Sequence, residues 1–244
     1  MPTTDSISQL IDQLKAAAQS AGFKVDTYGQ IEHWSLLVLT RRADSEDGHH
    51  IYLSAGIHGD EPAGPQAVLE LLQDDALPRD QSYTIFPVLN PSGLAIGTRE
   101  DSCDIDLNRD YRDFVSEATQ LHAKWITDHI QALDTCIHLH EDWESQGFYF
   151  YELNFTSKPG YAAQILSASQ AHMPTELAEE IDGRPAVGGL IRPESLPEIE
   201  EGHPESIFLQ KHFGGLNYTL ETPTALPLER RVATLKSIVL AVSE

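Results

Sequence analysis

Residues 50–93 constrain the fold more than any other stretch. An apolar run, "HIYLSAGI", leads into "PAGPQAVLELLQDD", where apolar residues recur at helical spacing behind a proline suited to a first turn. A second apolar run, "SYTIFPVLN", follows and breaks at Asn90-Pro91. Strand, helix, strand in this order is a crossover unit, whose strands run parallel. The alternation extends in both directions. "FKVDTYGQI" and "HWSLLVLTRR" read as strands before it, and "SEATQLHAKWITDHIQAL" as a helix after it. Then come strands in "DTCIHLH" and "GFYFYEL", a helix near "GYAAQILSASQ", a strand in "GGLNYTLE" and a closing helix in "LERRVATLKSIVLAV". At the amino end, Ile7, Leu10, Ile11, Leu14 and Ala18 mark a helix capped by Thr4 or Asp5 and ended by Gly22. The pattern predicts an α/β sandwich of three layers, a mixed and mainly parallel central sheet flanked by helices, in one domain over residues 1–244. Residues 173–204, rich in glutamate and proline, read as an irregular loop, either solvated or walling a pocket.

Charge excludes whole classes of function. With 38 acidic against 16 basic residues the net charge is -22, and no basic stripe interrupts it, so neither nucleic acid nor an anionic membrane is an expected partner. The first twenty residues lack the apolar core of a signal peptide, and no segment approaches the roughly eighteen apolar residues of a membrane span, so a cytoplasmic location is expected. Cys103 and Cys136 are too few for a disulfide framework and not spaced as a zinc knuckle; both are expected to be small buried hydrophobes.

The first strand of the crossover ends in "LSAGIHGDEP", and in parallel sheets ligand sites lie at the carboxyl ends of strands. A strand end and the tight turn after it allow the His58 imidazole and the Glu61 carboxylate to converge on one cation, and this nitrogen and oxygen set suits zinc. By itself a His-x-x-Glu pair is common, so a third ligand is required. "CIHLHEDWE" offers His138 and His140, which share one face of a strand about 7 Å apart, too far for one metal to take both. His140 lies nearer the carboxyl end and is the expected ligand, leaving His138 a supporting or pocket role. The stretch is not a zincin helix signature, because Glu144 stands where its second histidine would be.

The short motifs "HGDE", "NPSG", "TRE", "DIDLNRDY", "HLHED" and "LET", in this order from about Ile51 to Thr222, resemble the zinc carboxypeptidases of the carboxypeptidase A type. The closer resemblance is to their intracellular relatives, the murein-peptide amidases, succinylglutamate desuccinylases and aspartoacylase. The resemblance implies one zinc ion per chain held by His58, Glu61 and His140, with a fourth position for water. It implies Glu221 as general base and acid, Arg99 polarising the scissile carbonyl, and Asn108 with Arg109 gripping a substrate carboxylate. Asp106 would accept a hydrogen bond from His58. Elementary chemistry asks for the same types. Three protein ligands on zinc acidify a bound water, a carboxylate must carry its proton to the leaving amine, and a fixed cation must meet the developing oxyanion. A second, forked arginine matches a carboxylate bidentately.

The sequence departs from that family in two places. No tyrosine occurs between Tyr161 and Tyr218, where the digestive enzymes carry one on a mobile loop, leaving His203 or His212 as substitute donors. His138 stands where an aspartate is usual. The acylase relatives carry a further β-rich domain, whereas this chain ends one helix after Glu221, which looks more like the peptidase and murein-amidase arrangement. The expected activity is zinc-dependent hydrolysis of an amide bond in a small carboxylate-bearing peptide. Deacylation of an N-acyl amino acid is the alternative, and a binding module without catalysis the second; no oligomeric state follows from the sequence.

Overall fold

The computed structural model describes residues 4–45 and 48–243. Its elements are α1 (Thr4–Ser20), β1 (Lys24–Ile31), β2 (Trp34–Arg41), β3 (His50–Ala55), α2 (Ala63–Gln73), β4 (Ser82–Phe86), α3 (Pro91–Ile96), α4 (Glu117–His129) and β5 (Thr135–Asp142). There follow β6 (Tyr149–Asn154), α5 (Ala162–Gln170), β7 (Glu180–Ile181), β8 (Arg184–Pro185), β9 (Leu190–Ile191), α6 (Glu205–Phe213), β10 (Leu216–Pro223) and α7 (Leu228–Ser243). Eight strands form one sheet in the order β1-β2-β4-β3-β5-β10-β6-β9. The crossover expected from the sequence is present, since β3 and β4 pair parallel on either side of α2. The central strands β4, β3, β5 and β10 all run parallel, so their carboxyl ends share one edge of the sheet. Antiparallel pairs flank them, β1 with β2 and β2 with β4 on one side, β10 with β6 on the other. The sheet is therefore mixed and mainly parallel.

Side chains alternate across the strands and divide the core in two. Ile51, Leu53, Ile137 and Leu139 pack with Leu14 of α1, Val68 and Leu71 of α2, Ile165 of α5 and Leu235 of α7. Tyr52, Phe86 and Cys136 face the other way and pack with Ile126 of α4 and Phe208 and Leu209 of α6. Helices thus cover both faces, the three layers that the alternation predicted. Both faces of β5 are buried, and His138 and His140 lie on the α4 and α6 side with Cys136.

The structure adds elements that the sequence reading did not contain. Residues 173–204 hold the β7–β8 hairpin and the edge strand β9, which pairs with β6, so the stretch is only partly irregular. Helix α6 follows at once. Ile207, Phe208 and Leu209 are contiguous and all buried, so they mark no single helical face, and Phe213 at the far end is only partly buried. The short helix α3 is capped by Asn90, whose side chain accepts a hydrogen bond from the Gly93 N–H. Cys136 is buried as expected, but Cys103 is exposed, because it lies in a tight surface turn closed by the Asp101 carboxylate. The expected α1 cap, Thr4 or Asp5, falls on side chains outside the described residues. Among the described residues no helix is long and apolar enough to cross a membrane.

Glu205, the first residue of α6, is 1% exposed and anchors that helix to the sheet. Its carboxylate accepts hydrogen bonds from the Tyr52 hydroxyl, from Ser54 Oγ at 2.8 Å and from His138 Nδ1 at 3.0 Å. Burial opposes its ionisation, but the charge and hydrogen bond of His138 outweigh this and hold the carboxyl down at about 2. Removing one member of such a buried pair strands its partner in the interior, at about 3–5 kcal/mol. Glu205→Ala is expected to lower the unfolding free energy by about that amount in urea titrations, whereas a loss below about 1 kcal/mol would show that α6 docks without it.

Candidate metal and catalytic site

Three strand ends build the site. His58 and Glu61 lie in the turn between β3 and α2, His140 near the end of β5 and Glu221 near the end of β10, where it pairs in register with His140. The turn closes on itself through the Glu61 N–H donating to the His58 carbonyl at 3.4 Å. Gly59 makes its path possible. A Cβ at this position would lie 1.9 Å from the carbonyl carbon of Gly93 and 2.2 Å from the nitrogen of Leu94, so the turn rests directly on the backbone of α3.

His58, Glu61 and His140 are 2%, 4% and 3% exposed. His58 Nδ1 lies 2.6 Å from Glu61 Oε1, His140 Nδ1 lies 3.0 Å from Glu61 Oε2, and the imidazole centroids are 5.0 Å apart. One ligand atom from each residue falls within 4.8 Å of the others, which makes this a group able to hold a metal ion. Two imidazole nitrogens and a carboxylate, buried and converging, suit zinc. Burial disfavours the charged form of Glu61, but His58 and His140 more than compensate and keep its carboxyl well below the usual carboxylate range. The far nitrogen of His58, Nε2, lies 3.3 Å from Asp106 Oδ1, the kind of partner that orients a metal-bound imidazole.

Asp106 also organises the backbone just after it. Its Oδ1 accepts from the Asn108 N–H at 2.8 Å and its backbone carbonyl from the Arg109 N–H at 3.0 Å, a turn made by a side chain. Oδ2 accepts from Arg99 Nε at 2.9 Å, which leaves Arg99 Nη1 3.4 Å from His58 Nδ1 and 4.0 Å from Glu61 Oε1. Asn108 Oδ1 accepts from the Glu205 N–H at 3.0 Å, which assigns the amide oxygen and leaves the amide nitrogen free to donate. Arg109 donates from Nη1 to the Asn108 carbonyl at 2.9 Å. Its own carbonyl accepts from the His203 N–H at 2.9 Å, so the segment before α6 is laid against it.

One pocket contains His58, Glu61, His140, Arg99, Asn108 and Arg109, with Asp106 behind His58 and Arg99; Glu221 stands in the pocket wall beside Tyr149, Tyr151 and Thr219. Burial drives the Glu221 carboxyl well above its ordinary range, the charges of Glu61 and Asp142 add to this, and Arg99 acts in the opposite sense. A cation at the three ligands would reverse that balance and favour the carboxylate. Glu141, the residue after His140, has both oxygens engaged, one by the Ala63 N–H at 2.6 Å and one by Arg231. His138 is bound by Glu205, Ser54 and Asn217 and does not reach the ligand group.

Sequence reasoning missed the tyrosines of β6. Tyr149 donates to Asp142 Oδ2 at 3.0 Å and Tyr151 to Asp182 Oδ2 at 2.6 Å, and both line the pocket. The alternation in "FYFY", aromatic on one face and phenolic on the other, is the signal that could have found them. Neither His203 nor His212, the suggested substitutes for a loop tyrosine, lines the pocket. The hairpin contributes Glu180, Ile181, Asp182 and Arg184 to the wall, so the 173–204 stretch does border the pocket.

The mixed sheet flanked by helices is a zinc carboxypeptidase-like fold, and it carries a buried His-Glu-His group compatible with a metal ion. Residues 47–231 match the model of the Succinylglutamate desuccinylase/Aspartoacylase catalytic domain, and the chain belongs to that family. No curated protein matches the sequence. Among solved structures, a "putative metallopeptidase" from Shewanella baltica OS155 superposes with a TM-score of 0.84 at 21% identity, over 99% of this chain and 94% of that one. A metallo-carboxypeptidase from Burkholderia cenocepacia superposes with a TM-score of 0.67 at 18% identity, over 95% and 66%. Carboxypeptidase A from Helicoverpa armigera gives 0.65 at 13% identity, over 93% and 70%.

The close approach at Gly59 yields a prediction that needs no assay of function. Gly59→Ala forces the ligand turn off α3, and overpacking of this kind costs about 1–3 kcal/mol. A lower midpoint in thermal or urea unfolding is expected; an unchanged midpoint would mean that the turn is free to move.

Proposed function

We propose that this chain is a zinc-dependent hydrolase, a single catalytic domain that cuts an amide bond in a small peptide bearing a free carboxylate. The observation that carries this reading is the convergence of the buried His58, Glu61 and His140 with Arg99 and Glu221 in one pocket. Bound by the three ligands, zinc supplies a Lewis acid and a water acidified to near neutrality. Glu221 accepts a proton from the attacking water at its carboxylate and returns it to the leaving nitrogen. Arg99, charged at any working pH, faces the oxygen on which negative charge develops. The Asn108 amide nitrogen and the Arg109 guanidinium bind the substrate carboxylate, and Asp106 holds His58 in orientation through Nε2.

A second reading, deacylation of an N-acyl amino acid, is favoured by the match to the Succinylglutamate desuccinylase/Aspartoacylase catalytic domain. The same groups would act, and hydrolysis of a panel of dipeptides, murein peptides and N-acyl amino acids separates the two.

Metal analysis of the purified chain is expected to find one zinc per chain, lost together with activity in His140→Ala. Stoichiometric zinc in that variant, with loss in His138→Ala, would move the third ligand by two residues. Glu221→Gln keeps the shape and removes the proton acceptor, so kcat should fall by about 10²–10⁴ with zinc retained; near-normal turnover would place the base elsewhere. Arg109→Ala should raise KM by roughly ten- to a hundredfold for substrates with a free carboxylate, the worth of a charge-assisted pair of about 1.5–3 kcal/mol. Amidated analogues should change little, and equal losses for both would assign Arg109 to the fold alone.

A further inference from the structure

The ladder that joins the two ligand-bearing strands stops short of the site. β3 and β5 pair as far as Ala55 and Leu139, and beyond that point the turn carrying His58 and Glu61 has no backbone bond to β5. Glu141, the residue after His140, bridges the gap. Its side chain is fully buried, and Oε1 accepts from the Ala63 N–H at 2.6 Å, two residues past Glu61. Ala63 opens α2, whose own N-cap, Pro62, offers no side-chain acceptor and whose first turn carries no acid. Glu141 therefore satisfies from another strand one of the N–H groups that a helix start leaves open, where a negative charge is also favoured. The packing beneath is equally close, since a Cβ on Gly64 would lie 3.2 Å from both Ala55 Cβ and the Leu139 carbonyl oxygen. Oε2 of Glu141 is paired with Arg231 of α7, whose side chain is 12% exposed and whose Nε is tied to the Leu226 carbonyl at 3.0 Å. The charge of Arg231 neutralises a carboxylate that would otherwise stand unpaired next to a ligand group already containing Glu61.

We propose that Glu141, fixed by Arg231, is a positioning residue of the metal site, setting the turn that carries Glu61 against the strand end that carries His140. The inference rests on the reading of His58, Glu61 and His140 as metal ligands. It assigns the metal affinity of the chain partly to two residues that touch no metal, and partners of this kind alter affinity by about ten- to a hundredfold.

The test is zinc affinity of the purified full-length chain, by competition with a chromophoric chelator, with thermal unfolding of the metal-free form alongside. Glu141→Ala is expected to bind zinc about ten- to a hundredfold more weakly. Glu141→Gln keeps an acceptor for the Ala63 N–H but loses the ion pair, and its affinity should fall between that of Glu141→Ala and the parent. The Co2+-loaded forms should show a changed visible absorption spectrum in Glu141→Ala. Parent affinity in a Glu141→Ala chain that folds overturns the proposal, even if its unfolding temperature drops, because the pair would then serve the fold alone. Should Glu141→Ala fail to fold, Glu141→Gln decides, and parent affinity there overturns the proposal in the same way. A parent chain that binds no zinc removes both this proposal and the functional reading beneath it, whereas a zinc-binding parent with unaltered variants removes only this one.

Discussion

A buried carboxylate between two imidazoles is the constraint around which the site is arranged. Glu61 is 4% exposed, and an isolated carboxylate at that depth would be strongly disfavoured. It is tolerated because His58 and His140 meet its two oxygens from different strand ends. That requirement dictates the rest: β3 and β5 must be neighbours and parallel, the turn after β3 must be tight enough for a residue three positions on to fold back, and α3 must leave room for it at Gly59. A cation at the same point would satisfy all three groups together, which makes the arrangement compatible with a metal site.

The same strand supports a second buried carboxylate below the first. His138 and His140 point to one face of β5, two residues apart, and each meets a different acid, His138 meeting Glu205 and His140 meeting Glu61. The lower pair fastens α6 to the sheet, and the Glu205 backbone N–H fixes the Asn108 amide. Layer packing and pocket chemistry are thus continuous. The helix that covers one face of the sheet also determines which end of Asn108 remains available to a ligand. With His138 committed to Glu205, Ser54 and Asn217, one histidine of "HLH" is structural and the other is left for the site.

The net charge of -22 makes the pocket's few cations significant. Arg99, Arg109 and Arg184 line it against several carboxylates, and Arg99 is held by Asp106 so that its guanidinium stays near the ligand group. An anionic substrate would be repelled at long range and held at short range, so its recognition depends on these few local contacts.

The order of strands and helices, the crossover through α2 and the placement of His58, Glu61, His140 and Glu221 at strand ends were legible in the sequence, because periodicity and strand-end motifs are local properties. Helix α6 was not, because burial on more than one side erases the amphipathic period in Ile207, Phe208 and Leu209, and proline and glutamate precede it. The Glu205 anchor, the bond from Glu141 to Ala63, the Arg231 pair and the tyrosines of β6 in the pocket wall were decided only by the tertiary structure. Each joins residues tens to more than a hundred positions apart in the sequence, or depends on which face of a strand meets the pocket. A local pattern can state that a side chain is polar and lies at a strand end, but only the packed sheet determines what stands opposite it.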